Sequence, residues 1–169
     1  MILKIIGAIL IISACSTVGF SIAAKHRKEL RTLRELIRIL DYMECELQYR
    51  LTPLPDLFRV VAADTKGELQ QFFTRLSQKL DDHVSCSVYS CLQDVLTEEK
   101  LPHWTRVGLD YLGESLGRFD LDGQLKALES TRSKCRSDLA NLNVNKDARL
   151  RSYQTLGICA GAAMVILFI

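Results

Sequence analysis

The sequence predicts an all-α protein, a bundle of about six helices whose first and last members are long and continuous with hydrophobic membrane segments. Apolar residues recur at steps of three, four and seven along most of the chain, which is the period of an amphipathic helix. No stretch keeps the two-residue alternation of a strand, and Asn-Gly turn pairs are missing. Prolines and glycines interrupt the helical pattern at a few widely spaced points, which separate the predicted helices.

The first helix begins in a hydrophobic segment. Ile5 to Ala24 is a run of 20 residues without charge, and at about 1.5 Å per residue it covers the roughly 30 Å of hydrocarbon in a bilayer. Lys25-His26-Arg27-Lys28 follows the run, whereas only Lys4 precedes it. Because basic residues are retained on the cytoplasmic side, residues 1–24 are predicted to span the membrane with the N-terminus outside.

Two processing signals offer alternative interpretations of this segment. Small residues at Ser21-Ile22-Ala23 would suit cleavage of a secretory signal, and Ile12-Ser13-Ala14-Cys15 resembles a lipoprotein signal acylated at Cys15. Against both, the apolar run continues nine residues past Cys15 and leads into a cationic cluster that would have to be exported. A second hydrophobic segment at the other end of the chain also favours a membrane anchor.

Proline and glycine delimit the next two helices. The first helix is predicted to end near Arg50, after which Thr52 caps and Pro53 starts a short second helix. This helix stops before Gly67, and the third begins near Glu68. The residues expected to be buried in these three helices are Leu30, Leu33, Leu36, Ile37, Ile39, Leu40, Met43, Leu47, Leu54, Leu57, Phe58, Val61, Ala62, Leu69, Phe72, Phe73, Leu76 and Leu80.

Two more helices follow a break at Asp81-Asp82-His83. Ser85 is predicted to cap the fourth helix, while Pro102 opens the fifth, which closes in Gly113 and Gly117. Their expected core residues are Val88, Leu92, Val95, Leu96, Trp104, Val107, Leu109, Tyr111 and Leu112.

The last helix is predicted to begin after a cap at Asp120 and to continue into the apolar tail. Leu121, Leu125, Leu128, Cys135, Leu139, Leu142 and Tyr153 keep a heptad that Arg132 and Lys146 interrupt. The tail from Leu156 to Ile169 has 14 residues, about 21 Å of helix, so it crosses a bilayer only with local thinning or with 153–155 drawn into the interface. Basic residues precede it, which predicts a cytoplasmic domain at 25–153 and a membrane segment at 154–169.

Small residues four apart occur in both hydrophobic segments. Gly19 with Ala23, and Gly157 with Gly161, form steps that let membrane helices approach closely. We therefore expect these residues to pack the two segments together.

Charge is unevenly distributed along the chain. Residues 25–38 and 132–151 each carry a net charge of +4, whereas residues 41–129 hold nine bases against sixteen acids, a net charge of −7. This pattern suits basic stems at an anionic membrane surface and an acidic domain held away from it, although solvated helix faces are the alternative. Basic residues are not interleaved with aromatic residues, so the sequence predicts no nucleic-acid partner.

Motifs that could carry chemistry lack their structural context. Gly113-Glu114-Ser115-Leu116-Gly117 fits a nucleophile elbow, but a predicted helix precedes Ser115 and all three histidines come earlier in the chain. Asp110 and Glu114 are interpreted as solvated acids, and Asp81-Asp82-His83 as a turn and not as metal ligands. The P-loop pattern is missing. We therefore predict a protein that is not an enzyme and has no catalytic residue, metal or cofactor.

Six cysteines occur, at 15, 45, 86, 91, 135 and 159. None forms a C-x-x-C pair, so neither a disulfide framework nor a zinc site is indicated. Reduced, mostly buried thiols are expected.

Several stretches together resemble the stage III sporulation protein AB family of endospore-forming bacteria. They are Leu3-Lys4-Ile5-Ile6-Gly7-Ala8, Leu40 to Tyr49, Thr52-Pro53-Leu54-Pro55, Leu116-Gly117-Arg118-Phe119-Asp120-Leu121-Asp122-Gly123-Gln124 and the tail from Leu156. The resemblance implies a membrane-anchored helical domain similar to the cytoplasmic domain of the platform protein in type II secretion and type IV pilus systems.

The same resemblance implies a location and partners. It places the protein in the mother-cell membrane around the forespore, as a scaffold in a transenvelope complex beside that complex's cytoplasmic AA ATPase. The residues expected to bind partners are Thr52, Pro53, Leu54, Pro55, Asp120, Asp122, Gly123 and Gln124. Alternatives are a structural protein that self-assembles into homo-oligomers through the last helix, and a membrane-bound hydrolase using Ser115.

Overall fold

The backbone is helical at nearly every described position. The computed structural model describes residues 2–50, 52–82, 87–116 and 121–168, with side chains described at 21, 24–50, 52–82, 87–114, 116 and 121–144. Within these ranges the elements are α1 (Ile2–Arg50), α2 (Leu54–Asp64), α3 (Glu68–Asp82), α4 (Val88–Glu98), α5 (His103–Ser115) and α6 (Leu121–Phe168). The predicted all-α class with six helices is confirmed.

Two of the connections have the breakers that the sequence predicts. Pro53 occupies the cap position of α2. Proline is tolerated at the start of a helix because the first amides of a helix have no partner within it. Gly67 has a φ of +74°, a left-handed conformation that glycine adopts without a steric cost, and α3 begins at the next residue.

Two predicted helix caps are wrong. Thr52 does not cap α2, because Pro53 takes the cap position and the Thr52 hydroxyl bonds elsewhere. The cap position of α4 is Ser87, while the predicted cap, Ser85, lies outside the described residues. The end of α5 at Ser115 falls between Gly113 and Gly117, as predicted, and Gly113 itself lies inside the helix against Leu92 of α4.

The predicted core is largely confirmed. All eight core residues predicted in the described part of α1 are buried, as are the central apolar residues of α2, α3 and α4. Tyr111, however, is 37% exposed, so its expected burial is wrong, and five further predicted core residues are only half-buried: Leu54, Leu80, Val88, Trp104 and Val107. The Tyr111 ring lies on the surface of α6, where its hydroxyl is 3.0 Å from Ser130 Oγ and Lys134 Nζ is 5.3 Å from its centre.

The chain divides into two compact units. Unit 1 comprises Met1–Leu30 and Ala140–Ile169, and unit 2 comprises Arg31–Leu139. Unit 2 therefore contains α2 to α5 together with the inner parts of α1 and α6.

The helices of unit 2 run up and down, and each consecutive pair is joined by a side-chain contact. Short connections and these contacts make neighbouring helices antiparallel. The contacts are Arg38–Asp64 for α1 and α2, Arg59–Asp81 for α2 and α3, Lys79–Asp94 for α3 and α4, Gln93–Asp110 for α4 and α5, Tyr111–Ser130 for α5 and α6, and Arg132–Asp41 for α6 and α1.

This topology gives unit 2 two distinct ends. The near end is where α1 enters at Arg31 and α6 leaves at Leu139, and it holds the connections 65–67 and 99–102. The far end holds the turn between α1 and α2, the end of α3 and the starts of α4 and α6. The 20 residues of α1 within unit 2 separate the ends by about 30 Å.

Glycine allows the closest approach between helices. A methyl group added at Gly108 of α5 would lie 2.8 Å from Cys135 Sγ and 3.1 Å from Leu36 Cδ2. Real methyl carbons almost never come so near, so α1, α5 and α6 meet where only a hydrogen atom fits.

Candidate functional site

The turn between α1 and α2 carries the first stretch predicted to bind a partner. The Glu46 carboxylate accepts hydrogen bonds from Tyr42 (2.9 Å) and Thr52 (3.3 Å), and Arg50 lies 3.4 Å from it. The Glu46 side chain is only 12% exposed, so this network fixes the turn from inside. Burial and the bond to Glu46 raise the pKa of the Tyr42 hydroxyl above its ordinary value of 10.0.

The network gives Thr52 a structural role. Its hydroxyl faces Glu46, while Pro53 is exposed and Leu54 and Pro55 are half-buried. Within the stretch 52–55, Pro53 therefore presents the most surface to a partner.

The second predicted stretch lies at the start of α6. Asp122 is exposed and Gly123 and Gln124 are half-buried, whereas Asp120 lies outside the described residues. An acid in the first turn of a helix is stabilised by the helix dipole, which accounts locally for Asp122.

Contacts between α1 and α6 place the two stretches at the same end. Arg132 pairs with Asp41 and Glu44, and Arg136 pairs with Asp41, so the two helices are antiparallel. Thr52 follows Glu44 by eight residues, and Gln124 precedes Arg132 by eight residues. Because helices rise equally per residue, the stretches 52–55 and 122–124 both lie at the far end.

Ion pairs occupy many of the acids of unit 2. Those paired with arginine or lysine are Glu35, Asp41, Glu44, Glu46, Asp56, Asp64, Asp81, Asp94, Glu98 and Glu99. Asp82, Glu114 and Asp122 are exposed and form no ion pair with any described residue, and all three lie at the far end. The negative charge available to a partner there is thus much smaller than the sequence total of −7 for residues 41–129.

The predicted coiled-coil seam of α6 is used within the chain. Leu128 and Cys135 are buried in unit 2, and Arg132, which interrupts the heptad, pairs with α1. Leu121 is 37% exposed and Leu125 and Leu139 are half-buried, so it is the central part of the seam that is closed to a second copy.

The described residues give little support to the alternative functions, a hydrolase using Ser115 or a metal site. Ser115 is the last residue of a helix, whereas a nucleophile elbow requires a strand before the serine. Asp81 pairs with Arg59 at 2.6 Å, and the described part of the chain contains no group of three potential metal ligands. Asp110 accepts a hydrogen bond from Gln93, so it is engaged between α4 and α5.

No disulfide joins the three described cysteines. Cys91 and Cys135 are buried, and Cys45 is exposed. Burial raises the pKa of the Cys135 thiol to about 11, which keeps it protonated and unreactive at neutral pH.

The predicted membrane segments have a helical backbone, but nearly all their side chains lie outside those described. Gly19, Ala23, Gly157 and Gly161 are among these, so their packing stays a prediction. Among the described residues, no helix has both the length and the apolar character that a membrane crossing requires.

These features define the class of the protein: an all-α, up-and-down bundle of six described helices whose two predicted partner-binding stretches lie at one end. The chain belongs to the stage III sporulation protein AB family, because the sequence model of that family matches residues 4–169. The resemblance seen in the sequence is therefore confirmed, and family membership supports a role in the sporulation complex.

Two relatives agree with this assignment. Stage III sporulation protein AB of Bacillus subtilis (strain 168) is 25% identical over 168 residues, which cover 98% of each chain. A solved structure of Stage III sporulation protein AB matches with a TM-score of 0.63 and 23% identity, over 72% of this chain and 98% of that one. The structural match shows that the two proteins share their fold.

Proposed function

We propose that this chain is a membrane-anchored, non-enzymatic scaffold of the sporulation complex, and that the far end of unit 2 docks a cytoplasmic ATPase of that complex. The observation that carries the proposal is the convergence of the stretches 52–55 and 122–124 at the far end. The two stretches are distant in sequence, and both carry the family resemblance. A common binding surface would explain why both are found in this chain.

The membrane part of the proposal rests on the sequence. The uncharged runs 5–24 and 156–169 are each next to basic residues on the side of the central domain. This pattern favours an N-terminus outside the mother-cell membrane around the forespore and a cytoplasmic domain between the two anchors. A reporter fused after Ile169 and another inserted near Gly67 test it, since a cytoplasmic signal is expected only near Gly67 if the tail crosses fully.

The docking part has an electrostatic component. Asp82 and Asp122 at the far end are exposed and lack ion pairs among the described residues, so a basic surface of the partner can approach without displacing internal pairs. Binding that uses exposed charges weakens as salt rises, because the Debye length falls from about 10 Å at 0.1 M to about 3 Å at 1 M.

The experiment compares two variants of the full-length chain with equal total charge. Asp82→Asn with Asp122→Asn removes two negative charges at the far end. Gln70→Lys with Gln71→Lys adds two positive charges at exposed positions of α3 near the opposite end. We expect the first variant to weaken binding of the purified ATPase about tenfold and to flatten its salt dependence, because rim charges act mainly on association.

The control variant should bind like the unaltered chain. Equal weakening in both variants would show that total charge matters and not the far end. Undiminished binding in the first variant, combined with insensitivity to salt, would remove the electrostatic part of the proposal and leave only the scaffold.

A further inference from the structure

Five exposed basic side chains gather at the near end of unit 2, from four separate parts of the sequence. Arg31 and Arg34 belong to α1, Lys66 and Lys100 to the connections before α3 and α5, and Arg106 to the first turn of α5. None of the five forms an ion pair with any described residue. The up-and-down topology is what unites them, because both connections return the chain to the end at which α1 enters.

Acids near this end are mostly engaged. Glu35 and Asp64 both pair with Arg38, at 2.7 and 2.9 Å. Glu98 and Glu99 pair with Arg75 and Lys79 on α3. Asp138, half-buried on α6, is left without an ion pair among the described residues, and Glu68 has a contact of its own. The near end therefore carries a net positive charge.

The net charges of the sequence segments do not reveal this basic surface. Lys66, Lys100 and Arg106 all fall within 41–129, the segment whose net charge is −7. Folding moves them to the end that also holds Arg31 and Arg34, and leaves Asp82 and Asp122 at the other end.

We propose that this near-end surface, formed by Arg31, Arg34, Lys66, Lys100 and Arg106, binds an anionic lipid surface. The inference rests on the membrane anchoring in the proposed function. Arg31 is seven positions after Ala24, the end of the uncharged run, which is at most about 25 Å of chain even when fully extended. Lys25, Arg27 and Lys28 lie between them and are exposed, so the basic residues continue from the predicted span to unit 2.

Because the basic residues continue from the predicted membrane span to unit 2, a lipid surface is the favoured binding partner. Basic residues next to a membrane helix are attracted by the negative potential of the cytoplasmic leaflet, by about 1 kcal/mol or fivefold in affinity for each residue near the surface. Such docking would leave the far end about 30 Å away from the lipid, where a cytoplasmic ATPase could reach it.

The test measures the reactivity of individual lysines in the full-length chain. The protein is placed in nanodiscs of phosphatidylcholine alone or with one third phosphatidylglycerol, and lysine acetylation is followed by mass spectrometry. We expect Lys66 and Lys100 to react about fivefold more slowly in the anionic discs, and the difference to vanish in 1 M salt. Lys126, exposed on α6 towards the far end, is the internal control and should react equally in both.

A pair of variants shows whether the surface acts as a unit. Arg34→Glu with Arg106→Glu should abolish the protection of Lys66 and Lys100, whereas Lys126→Glu should preserve it. All three altered residues are exposed and form no ion pair with another described residue, so the fold is expected to tolerate the changes.

The outcomes separate this inference from the proposed function. A chain that co-elutes with the discs but shows equal Lys66 and Lys100 reactivity in both lipids overturns the lipid contact and leaves the anchor intact. A chain that does not enter the discs overturns both. Protection by added nucleic acid but not by phosphatidylglycerol would also overturn the inference, because it would identify a different phosphate-bearing partner.

Discussion

Arg132 of α6 donates a hydrogen bond to Asp41 of α1, with Nη1 and Oδ1 2.8 Å apart across 91 residues of sequence. The same guanidinium also bonds to Glu44, and its side chain is only 22% exposed. One cation thus holds two carboxylates of the first helix against the last. The contact fixes the antiparallel register of α1 and α6, which places the stretches 52–55 and 122–124 together.

Removing this cation should destabilise unit 2. We expect Arg132→Ala to lower the free energy of unfolding by about 1–2 kcal/mol, because Asp41 and Glu44 would face each other with a partner lost. Urea unfolding of the full-length chain in detergent, followed by the fluorescence of Trp104, the only tryptophan, measures it. Arg38→Ala is the control, since its pairs are about half exposed and should contribute less than about 1 kcal/mol. Equal losses would contradict a special role for Arg132.

The close contact at Gly108 predicts that even a methyl group is costly. Gly108→Ala should destabilise by about 1–3 kcal/mol, although alanine favours helices by about 1 kcal/mol over glycine, because Cys135 and Leu36 leave no room. In the double variant with Cys135→Ala, the additional cost of Gly108→Ala should be smaller. A thermodynamic cycle of the two single variants and the double variant measures this coupling, and strictly additive losses would show that the contact is not the cause.

Two buried threonines in the described core differ in one hydrogen bond. The Thr105 hydroxyl is buried with no partner among described residues, whereas the Thr131 hydroxyl donates to the Ala127 carbonyl at 2.8 Å. Thr105→Val should raise stability by about 1 kcal/mol, because it replaces an unsatisfied hydroxyl with a methyl group of similar shape. Thr131→Val should be neutral or lower stability, because a formed bond is lost. Denaturant midpoints rank the two variants, and a stability loss at Thr105 would reveal a partner for its hydroxyl.

The raised pKa of the Cys135 thiol predicts that the stability of the fold decreases at alkaline pH. Its pKa rises from an ordinary value of 9.0 to about 11 on folding, mainly through burial, so the folded state holds the proton more tightly. The contribution is complete below pH 9 and is lost as pH rises towards 11, amounting to about 2 kcal/mol. Comparing unfolding at pH 8 and pH 10.5 with the Cys135→Ala variant isolates this thiol, and the variant should show the weaker dependence. Identical dependence in both proteins would mean that Cys135 does not titrate on unfolding.

Much of the fold could be predicted because helix formation and breaking are local. A 3.6-residue period identifies which face of α1 is buried, and all eight of its predicted core residues are buried. Pro53 and Gly67 act through their own backbone restrictions, so they separate helices wherever the chain goes next. Tyr111 shows where periodicity is no longer sufficient, because a residue at the edge of the apolar stripe is buried or exposed according to the position of the neighbouring helix.

The sequence by itself determined the helical class, the helix breaks and the apolar stripes, because each depends on residues within a turn or two of one another. Only the tertiary structure decided that Arg132 pairs with α1 and that Gly108 lies against Cys135. The tertiary structure also separates charged residues, since Lys66 and Lys100 lie at the near end and Asp82 and Asp122 at the far end. Partners that lie 20 to 90 residues apart are set by the register and rotation of whole helices, which no local pattern encodes.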